Sequence, residues 1–167
     1  MKTILTAMLA AILFSPLTHA TTAGPCDTPE HKQFNFWLGK WKVTTPNGAI
    51  AGENHIQSEY GGCVVHERYS TPKGYQGESL NIYDASRGVW HQTWVDNGGL
   101  LLKLEGKFID NTMVLEGKVK GQDGKFASHK ITWSQSNDGT VRQHWQTSTD
   151  GKNWQTAFDG LYTKITN

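Results

Sequence analysis

The sequence carries almost no net charge, and this excludes several kinds of partner. Its 167 residues have a formal net charge of +1, and the lysines and arginines are scattered along the chain. A nucleic-acid-binding protein needs a concentrated positive surface to neutralise phosphates. We therefore expect no nucleic-acid partner and no attraction to a membrane surface.

Long apolar runs are also scarce, and the one present lies at the N-terminus. It extends from Ile4 to Phe14, follows Lys2, and is followed by Pro16 and then Thr18-His19-Ala20. This pattern is typical of a secretory signal peptide. The run is too short to stay in a bilayer, since a spanning helix needs about 20 residues. We predict a signal peptide over 1–20, a periplasmic or secreted protein and no membrane insertion of the mature chain.

Cleavage after Ala20 would leave residues 21–167. A domain typically has about 100 to 150 residues. We therefore predict one domain over 21–167, and the sequence leaves its oligomeric state open.

Cysteine is rare, with only Cys26 and Cys63 in the chain. Disulfides persist in exported proteins, and two cysteines allow one intramolecular pairing. We predict a Cys26–Cys63 disulfide, worth about 3 to 4 kcal/mol if it acts by reducing the entropy of the unfolded chain. Two free thiols are the alternative.

Motifs for catalysis and metal binding are missing. The chain has no Gly-x-Ser-x-Gly elbow and no glycine-rich phosphate loop. Its seven histidines do not have the spacing of a zinc-ligand set. We expect no metal and no cofactor, with an enzyme as the less favoured hypothesis. Haem bound by a strand histidine is a further alternative, for which His129 is the candidate.

Turn residues, in contrast, recur at short intervals along the whole mature chain. They are Pro46-Asn47-Gly48, Gly61-Gly62, Ser86-Arg87-Gly88, Asp96-Asn97-Gly98-Gly99, Asp110-Asn111, Asp123-Gly124, Asn137-Asp138-Gly139 and Asp150-Gly151. The segments between them are rich in Val, Ile, Thr, Tyr and Trp, which is typical of antiparallel strands. We predict an all-β fold of nine or ten strands after a short helical turn from Pro29 to Leu38. An up-and-down barrel leaves no unpaired edge, and a two-sheet sandwich is the alternative.

The length of each hairpin loop decides which side chains face the barrel interior, because a one-residue slip reverses a strand. After Trp94, a four-residue loop would place Trp90 and Gln92 on the same face as Lys103. A three-residue loop, 97–99, places them beside leucines instead. We predict the shorter loop, with Leu100, Leu102 and Leu104 inside.

The same reasoning predicts the interior of the other strands. The inward residues are Asn54, Ile56, Val65, Glu67, Tyr69, Ser79, Asn81, Tyr83, His129, Ile131, Trp133, Val141, Gln143, Trp145, Trp154, Thr156, Phe158 and Tyr162. The predicted outward histidines are His55, His66, His91 and His144.

The segment Phe34-Asn35-Phe36-Trp37-Leu38-Gly39-Lys40-Trp41 resembles the Gly-x-Trp opening of lipocalins and other calycins. The resemblance implies that Gly39 and Trp41 begin the first strand and that Trp41 plugs one end of the barrel. It also implies a basic residue packed over the tryptophan, for which Lys164 and Arg142 are the candidates.

A wider resemblance covers almost all of the mature chain. The chain is similar to a family of exported bacterial proteins of unknown function with a lipocalin-like barrel, which implies fold and export but no activity. The matching segments are Phe34 to Trp41, Gly61-Gly62-Cys63, Ser79-Leu80-Asn81-Ile82-Tyr83-Asp84, Trp90-His91-Gln92-Thr93-Trp94-Val95-Asp96 and Phe158-Asp159-Gly160-Leu161-Tyr162.

Two neighbouring strands provide a candidate ligand site. We expect Tyr83 opposite Trp90 and Asn81 opposite Gln92, beside Trp94. Aromatic rings around two amides suit a small flat or hydrophobic molecule. The alternative is a filled core whose amides bond to one another. The remaining candidate residues of this interior are Glu67, His129, Trp133, Gln143 and Trp145.

Glu67 is the only carboxylate predicted to face inward. Burial without a partner would raise the pKa of Glu67 and keep the carboxyl group protonated. Such a group could act as a proton donor or base toward a ligand. The alternatives are pairing with Asn54 or a place in water at the barrel mouth.

We therefore expect a binding protein for a small hydrophobic or amphipathic molecule. The alternatives are an acid–base enzyme using Glu67 or His129, and a filled barrel without a ligand.

Overall fold

The computed structural model describes residues 24–121 and 124–166. The predicted signal peptide and its cleavage site lie outside the described residues. Two 3-10 turns, Glu30–Lys32 and Asn35–Trp37, precede the first strand, and a third, Tyr60–Gly62, follows the second. The strands are β1 Gly39–Thr44, β2 Ile50–Glu59, β3 Val64–Ser70, β4 Gln76–Asp84, β5 Val89–Asp96, β6 Leu101–Ile109, β7 Thr112–Lys120, β8 Phe126–Gln135, β9 Val141–Ser148 and β10 Gln155–Lys164.

The ten strands form a closed antiparallel barrel in which each strand pairs with its neighbours in the chain. Closure is made by β1 and β10, where Trp41 lies opposite Lys164 and Thr44 opposite Leu161. This confirms the predicted up-and-down barrel and rules out the sandwich. No helix among the described residues is long and apolar enough to cross a membrane.

The predicted register of the β5–β6 hairpin is confirmed. Trp94 lies opposite Leu102 and Gln92 opposite Leu104, while Lys103 is exposed. Gly99 has a φ of +82°, in the left-handed region that glycine adopts without steric cost. The three-residue loop therefore turns the leucines of β6 into the barrel.

The predicted inward positions of Trp154 and Thr156 are wrong. A bulge lies between Thr156 and Phe158, which pair with the consecutive residues Gln146 and Trp145. The extra residue resets the in-and-out alternation. Thr156 is exposed and bonds to His144 at 3.0 Å. The Trp154 ring lies 4.2 Å from the Lys130 ammonium, and Lys130 is on the outer face of β8.

One end of the barrel is filled by aromatic side chains. Phe34 stacks on Trp37 at 4.9 Å and contacts Trp90 and Trp133 edge to face at 5.7 and 5.2 Å. Trp41 is fully buried, and its Nε1 donates to the carbonyl oxygen of Trp37 at 2.8 Å. We call these five residues the aromatic plug.

The entry into β1 agrees with the Gly-x-Trp resemblance. Gly39 has a φ of +136°, which side chains rarely allow, and it turns the chain from the 3-10 segment into the strand. The Lys164 ammonium lies 5.2 Å from the Trp41 ring. Arg142 instead pairs with Asp159 at 2.7 Å, so Lys164 is the basic residue over the plug.

The predicted disulfide is confirmed, since Cys26 and Cys63 are joined with their Cα atoms 5.0 Å apart. Cys26 precedes the 3-10 turns that carry Phe34, and Cys63 lies in the turn between β2 and β3. The disulfide therefore ties the segment of the aromatic plug to the barrel wall.

Candidate functional site

A cavity of about 270 Å³ occupies the barrel away from the aromatic plug. Its walls are aromatic and aliphatic, formed by Tyr69, Tyr75, Trp94, Trp145, Phe158, Leu102 and Ile131. Its floor is formed by four buried polar side chains, Glu67, Gln92, Gln143 and Tyr162. Thr71 and Ala157 complete the lining, and Tyr75 and Ala157 are exposed at the mouth.

The structure brings five of the ten predicted ligand-binding residues to this cavity. These five are Glu67, Gln92, Trp94, Gln143 and Trp145. The other five, Trp90, Tyr83, Trp133, Asn81 and His129, also lie in the interior but do not line the cavity.

Tyr83 and Trp90 lie opposite each other as predicted, but the N-terminal segment covers them. Trp90 Nε1 donates to Gln33 Oε1 at 3.1 Å, and the His31 ring packs against Tyr83 at 5.2 Å. The predicted aromatic box is therefore part of the closed end, and only Gln92 and Trp94 of its members face the cavity.

Glu67 is hydrogen-bonded from both sides at the floor of the cavity. Asn54 Nδ2 donates to Glu67 Oε1 at 2.6 Å, so the alternative in which Glu67 pairs with Asn54 is the one observed. Ser79 Oγ lies 2.7 Å from Glu67 Oε2. All three residues are buried.

The donors of this network point toward Glu67. Gln92 Nε2 donates to Asn81 Oδ1 at 2.8 Å, and Asn81 Nδ2 donates to Ser79 Oγ at 2.9 Å. Ser79 Oγ also accepts from Gln92 Nε2 at 3.4 Å. A hydroxyl has a single proton, so Ser79 donates it to Glu67. Asn81 also donates to the carbonyl oxygen of Val65 at 2.9 Å, so its amide is fully engaged within the protein.

A second branch of the network crosses to β9 and β10. Tyr162 donates its hydroxyl proton to Gln143 Oε1 and accepts from Asn54 Nδ2 at 3.4 Å. Asn54 Oδ1 is buried and has no hydrogen-bond partner among the described residues. Polar side chains from six strands, β2 to β5, β9 and β10, therefore form a continuous layer across the barrel.

Burial raises the pKa of Glu67 to about 7, although the hydrogen bonds from Ser79 and Asn54 oppose the rise. Burial also raises the pKa of Tyr69 to about 12 and the pKa of Tyr162 well above its usual value. Among the described residues that line the cavity, Glu67 is the one side chain that changes charge near neutral pH.

Asp96 holds two of the aromatic walls in place. Its Oδ2 accepts from Trp94 Nε1 at 3.0 Å and from the Tyr75 hydroxyl at 2.7 Å. Its Oδ1 accepts from the backbone of Gly98 at 2.8 Å and Leu100 at 3.1 Å. Burial alone would raise the pKa of Asp96, but these hydrogen bonds together lower it. A single carboxylate thus fixes the β5–β6 loop and both rings.

Inward-facing glycines let three aromatic rings lie close to the barrel wall. A Cβ atom added to Gly77 would lie 2.2 Å from the Trp94 ring. One added to Gly52 would lie 2.7 Å from the Tyr69 ring, and one added to Gly160 would lie 2.6 Å from the Phe158 ring. Because the rings occupy the space above these glycines, they leave the centre of the barrel open.

His129 supports the cavity from behind. Trp145 Nε1 donates to His129 Nδ1 at 3.1 Å, and the two ring centres are 5.6 Å apart. Burial lowers the pKa of His129, which favours the neutral ring that can accept this bond. His129 therefore positions Trp145. The described residues contain no group of three or more His, Cys, Asp or Glu side chains that could hold a metal ion.

No protein-family model matches the chain, and no curated protein matches it.

Chemically, the cavity offers an apolar surface around a polar floor. Its aromatic and aliphatic walls would exclude water from a bound molecule, and its floor presents a carboxyl group and two amides.

Sequence reasoning missed Tyr75 and Thr71, which lie in the β3–β4 loop, where strand alternation makes no prediction. Tyr75 would have been found only through its contact with Asp96, 21 positions along the chain.

Proposed function

We propose that this protein is an exported binding protein that holds a small amphipathic molecule in the barrel cavity. The observation that carries the proposal is the cavity's combination of aromatic walls with a polar floor at Glu67, Gln92 and Gln143. Ligand sites in proteins are typically concave, mostly apolar and equipped with a few orienting polar groups.

The size of the cavity limits the ligand. About 270 Å³ lies near the lower end of the range for small-molecule sites, which suits a molecule of one or two rings. Burial of its apolar surface would provide affinity at about 25 cal/mol per Å², and the polar floor would orient its polar end.

The wall rings are held before any ligand arrives, and this also favours binding. Trp94 and Tyr75 are fixed by Asp96, and Tyr69 by the carbonyl oxygen of Ala51 at 2.9 Å. A cavity already in its bound shape loses little conformational entropy on binding.

Export is part of the proposal. It is supported by the signal-peptide pattern over 1–20 and by the Cys26–Cys63 disulfide, a bond that persists in oxidising compartments.

An acid–base enzyme is the second candidate function. It is favoured by one observation, the Glu67 carboxyl group in the cavity with a pKa of about 7, close to the value at which proton transfer is efficient at neutral pH. His129 does not line the cavity, so this candidate depends on Glu67.

Isothermal titration calorimetry with 2-naphthol, a neutral two-ring probe, tests the proposal. We expect measurable binding by the native protein. Ala157→Trp should weaken it at least tenfold, because the new side chain would fill the mouth. Ala85→Trp, in the exposed β4–β5 turn at the plugged end, is the matched control and should bind like the native protein. Absence of native binding, or equal binding by both variants, would refute the cavity as the site.

A further inference from the structure

The floor of the cavity contains a carboxylate without a cationic partner. Glu67 is 3% exposed, and its hydrogen-bond donors, Asn54 and Ser79, are both neutral. None of the described residues that line the cavity is lysine, arginine or histidine. A buried carboxylate is normally paired with an opposite charge, because desolvation is costly.

The hydrogen-bond network leaves Glu67 able to accept more bonds. A carboxylate has about four acceptor positions, and Asn54 and Ser79 occupy one on each oxygen. The chain of donors from Gln92 through Asn81 and Ser79 ends at Glu67. Its polarity stabilises negative charge at that point, so the floor suits a ligand group that donates hydrogen bonds.

The walls favour a cation as well. Five aromatic rings, those of Tyr69, Tyr75, Trp94, Trp145 and Phe158, form the walls of a cavity of about 270 Å³, and Tyr162 lies at its floor. The face of an aromatic ring attracts cations, most strongly tryptophan, and the attraction increases when the cation is desolvated. The Glu67 carboxylate at the floor and the aromatic rings of the walls are two independent features, and both favour a positively charged ligand.

We propose that the ligand is a small organic cation, an amine with an apolar or aromatic body, whose ammonium group pairs with Glu67 while its body lies between the aromatic walls. This inference rests on the proposed binding function and specifies its ligand class.

The side chains packed around Glu67 inside the barrel do not change charge near neutral pH, so the charge in the cavity depends on Glu67 itself. β2 presents Asn54 and Ile56 to it, β4 presents Ser79 and Asn81, and β10 presents Tyr162; none of these is charged near neutral pH. Tyr69, on its own strand, stays protonated since burial raises its pKa to about 12. On the outer face of the same strand, His66, whose charge lowers the pKa of Glu67, bonds to Glu59 and Glu78 at 3.1 and 3.0 Å, and Arg68 pairs with Glu59 at 3.1 Å.

Three probes of matched shape and different charge test the inference on the native protein. They are 3-phenylpropylamine, 3-phenylpropan-1-ol and 3-phenylpropanoate, titrated calorimetrically at pH 8. We expect the amine to bind at least tenfold more tightly than the alcohol, and the carboxylate to bind least. Equal binding of amine and alcohol, or tighter binding of the carboxylate, would overturn the inference.

The pH dependence provides a second readout. Glu67 has a pKa of about 7, so it is mostly ionised at pH 8 and mostly protonated at pH 5.5, whereas the amine stays charged at both. Amine affinity should therefore fall at least about tenfold between pH 8 and pH 5.5, and alcohol affinity should change little. An amine affinity that does not change over this range would contradict pairing with Glu67.

Glu67→Gln should lower amine affinity at least tenfold at pH 8 and leave alcohol affinity within about twofold. Glu116→Gln removes an exposed charge on β7 and should behave like the native protein. If Glu67→Gln does not fold, the comparison of the three probes on the native protein still decides the question. If 2-naphthol binds but the amine binds no more tightly than the alcohol, the cavity is a binding site and only the assignment of a cationic ligand fails. If none of the probes binds, the proposed function fails with it.

Discussion

Asn54 on β2 and Glu67 on β3 are diagonal neighbours, since Asn54 lies opposite Tyr69 and Glu67 opposite Ile56, and their Nδ2 and Oε1 atoms are 2.6 Å apart. Both are buried at the floor of the cavity, and Asn54 Nδ2 also lies 3.4 Å from the Tyr162 hydroxyl. This contact joins the carboxyl group to the part of the network on β9 and β10. Glu67 thus belongs to the hydrogen-bonded core and to the cavity surface, and its protonation affects both stability and binding.

Stability should depend on pH through Glu67. Its folded-state pKa of about 7 lies above the ordinary value of 4.5, so the folded state holds the proton more tightly than the unfolded state. Its contribution is therefore present at low pH and lost as the pH rises from 4.5 through 7. Between pH 5.5 and pH 8 the loss should be about 2 kcal/mol.

Comparison with Glu67→Gln isolates this contribution. Burial lowers the pKa values of His55 and His129, and such groups act in the opposite sense, stabilising the protein as the pH rises. Urea unfolding of both proteins at the two pH values should show that the native protein loses about 2 kcal/mol more than the variant on going to pH 8. An identical pH dependence would contradict the raised pKa of Glu67.

Trp41→Ala should destabilise the barrel by about 3 to 5 kcal/mol, because it leaves a large cavity at the aromatic plug. Trp154→Ala is the matched control, since Trp154 lies outside the barrel beside Lys130, and it should cost less than about 1 kcal/mol. Both values come from urea unfolding. A loss below about 1 kcal/mol for Trp41→Ala would contradict its role as the plug.

Reduction of the Cys26–Cys63 disulfide should lower the melting temperature. The bond restrains the unfolded chain over 37 positions of sequence separation, which corresponds to about 3 to 4 kcal/mol. Differential scanning calorimetry with and without dithiothreitol measures the change. An unchanged melting temperature in protein whose free thiols have been detected chemically would contradict a stabilising role for this bond.

Gly77→Ala should push the Trp94 ring into the cavity. The added Cβ would lie 2.2 Å from the indole, and the three heavy atoms nearest to it all belong to Trp94. We expect at least tenfold weaker binding of 2-naphthol. Stability should also fall, by at least about 1 kcal/mol more in the native background than in a Trp94→Ala background. If Gly77→Ala lowered the free energy of unfolding equally in the two backgrounds, the absence of a Cβ at Gly77 would not be what makes room for the Trp94 ring.

Much of the fold could be predicted from the sequence, because antiparallel strands alternate their side chains and short loops determine the register. Alternation and loop length predict Trp94 beside the leucines of β6 and offer Asn54 as a partner for Glu67, and both contacts are present. The same reasoning failed at Trp154 and Thr156, because a bulge adds a residue that a repeating pattern does not reveal.

The candidate site was harder to predict than the fold. Strand alternation identifies the interior but not the depth at which each side chain lies. Trp90 and Tyr83 proved to be covered by Gln33 and His31 from the N-terminal segment. The role of Asp96 in holding Trp94 and Tyr75 depends on how two loops meet, and no local sequence pattern contains that information.

The tryptophan indole groups report directly on whether the cavity binds a small molecule. Trp94 and Trp145 line the cavity, Trp41 and Trp90 belong to the aromatic plug, and Trp154 lies outside. In ¹H–¹⁵N spectra of the indole groups during titration with 2-naphthol, we expect saturable shifts of Trp94 and Trp145, with Trp154 unchanged. No shifts, or shifts confined to Trp154, would contradict binding in the cavity.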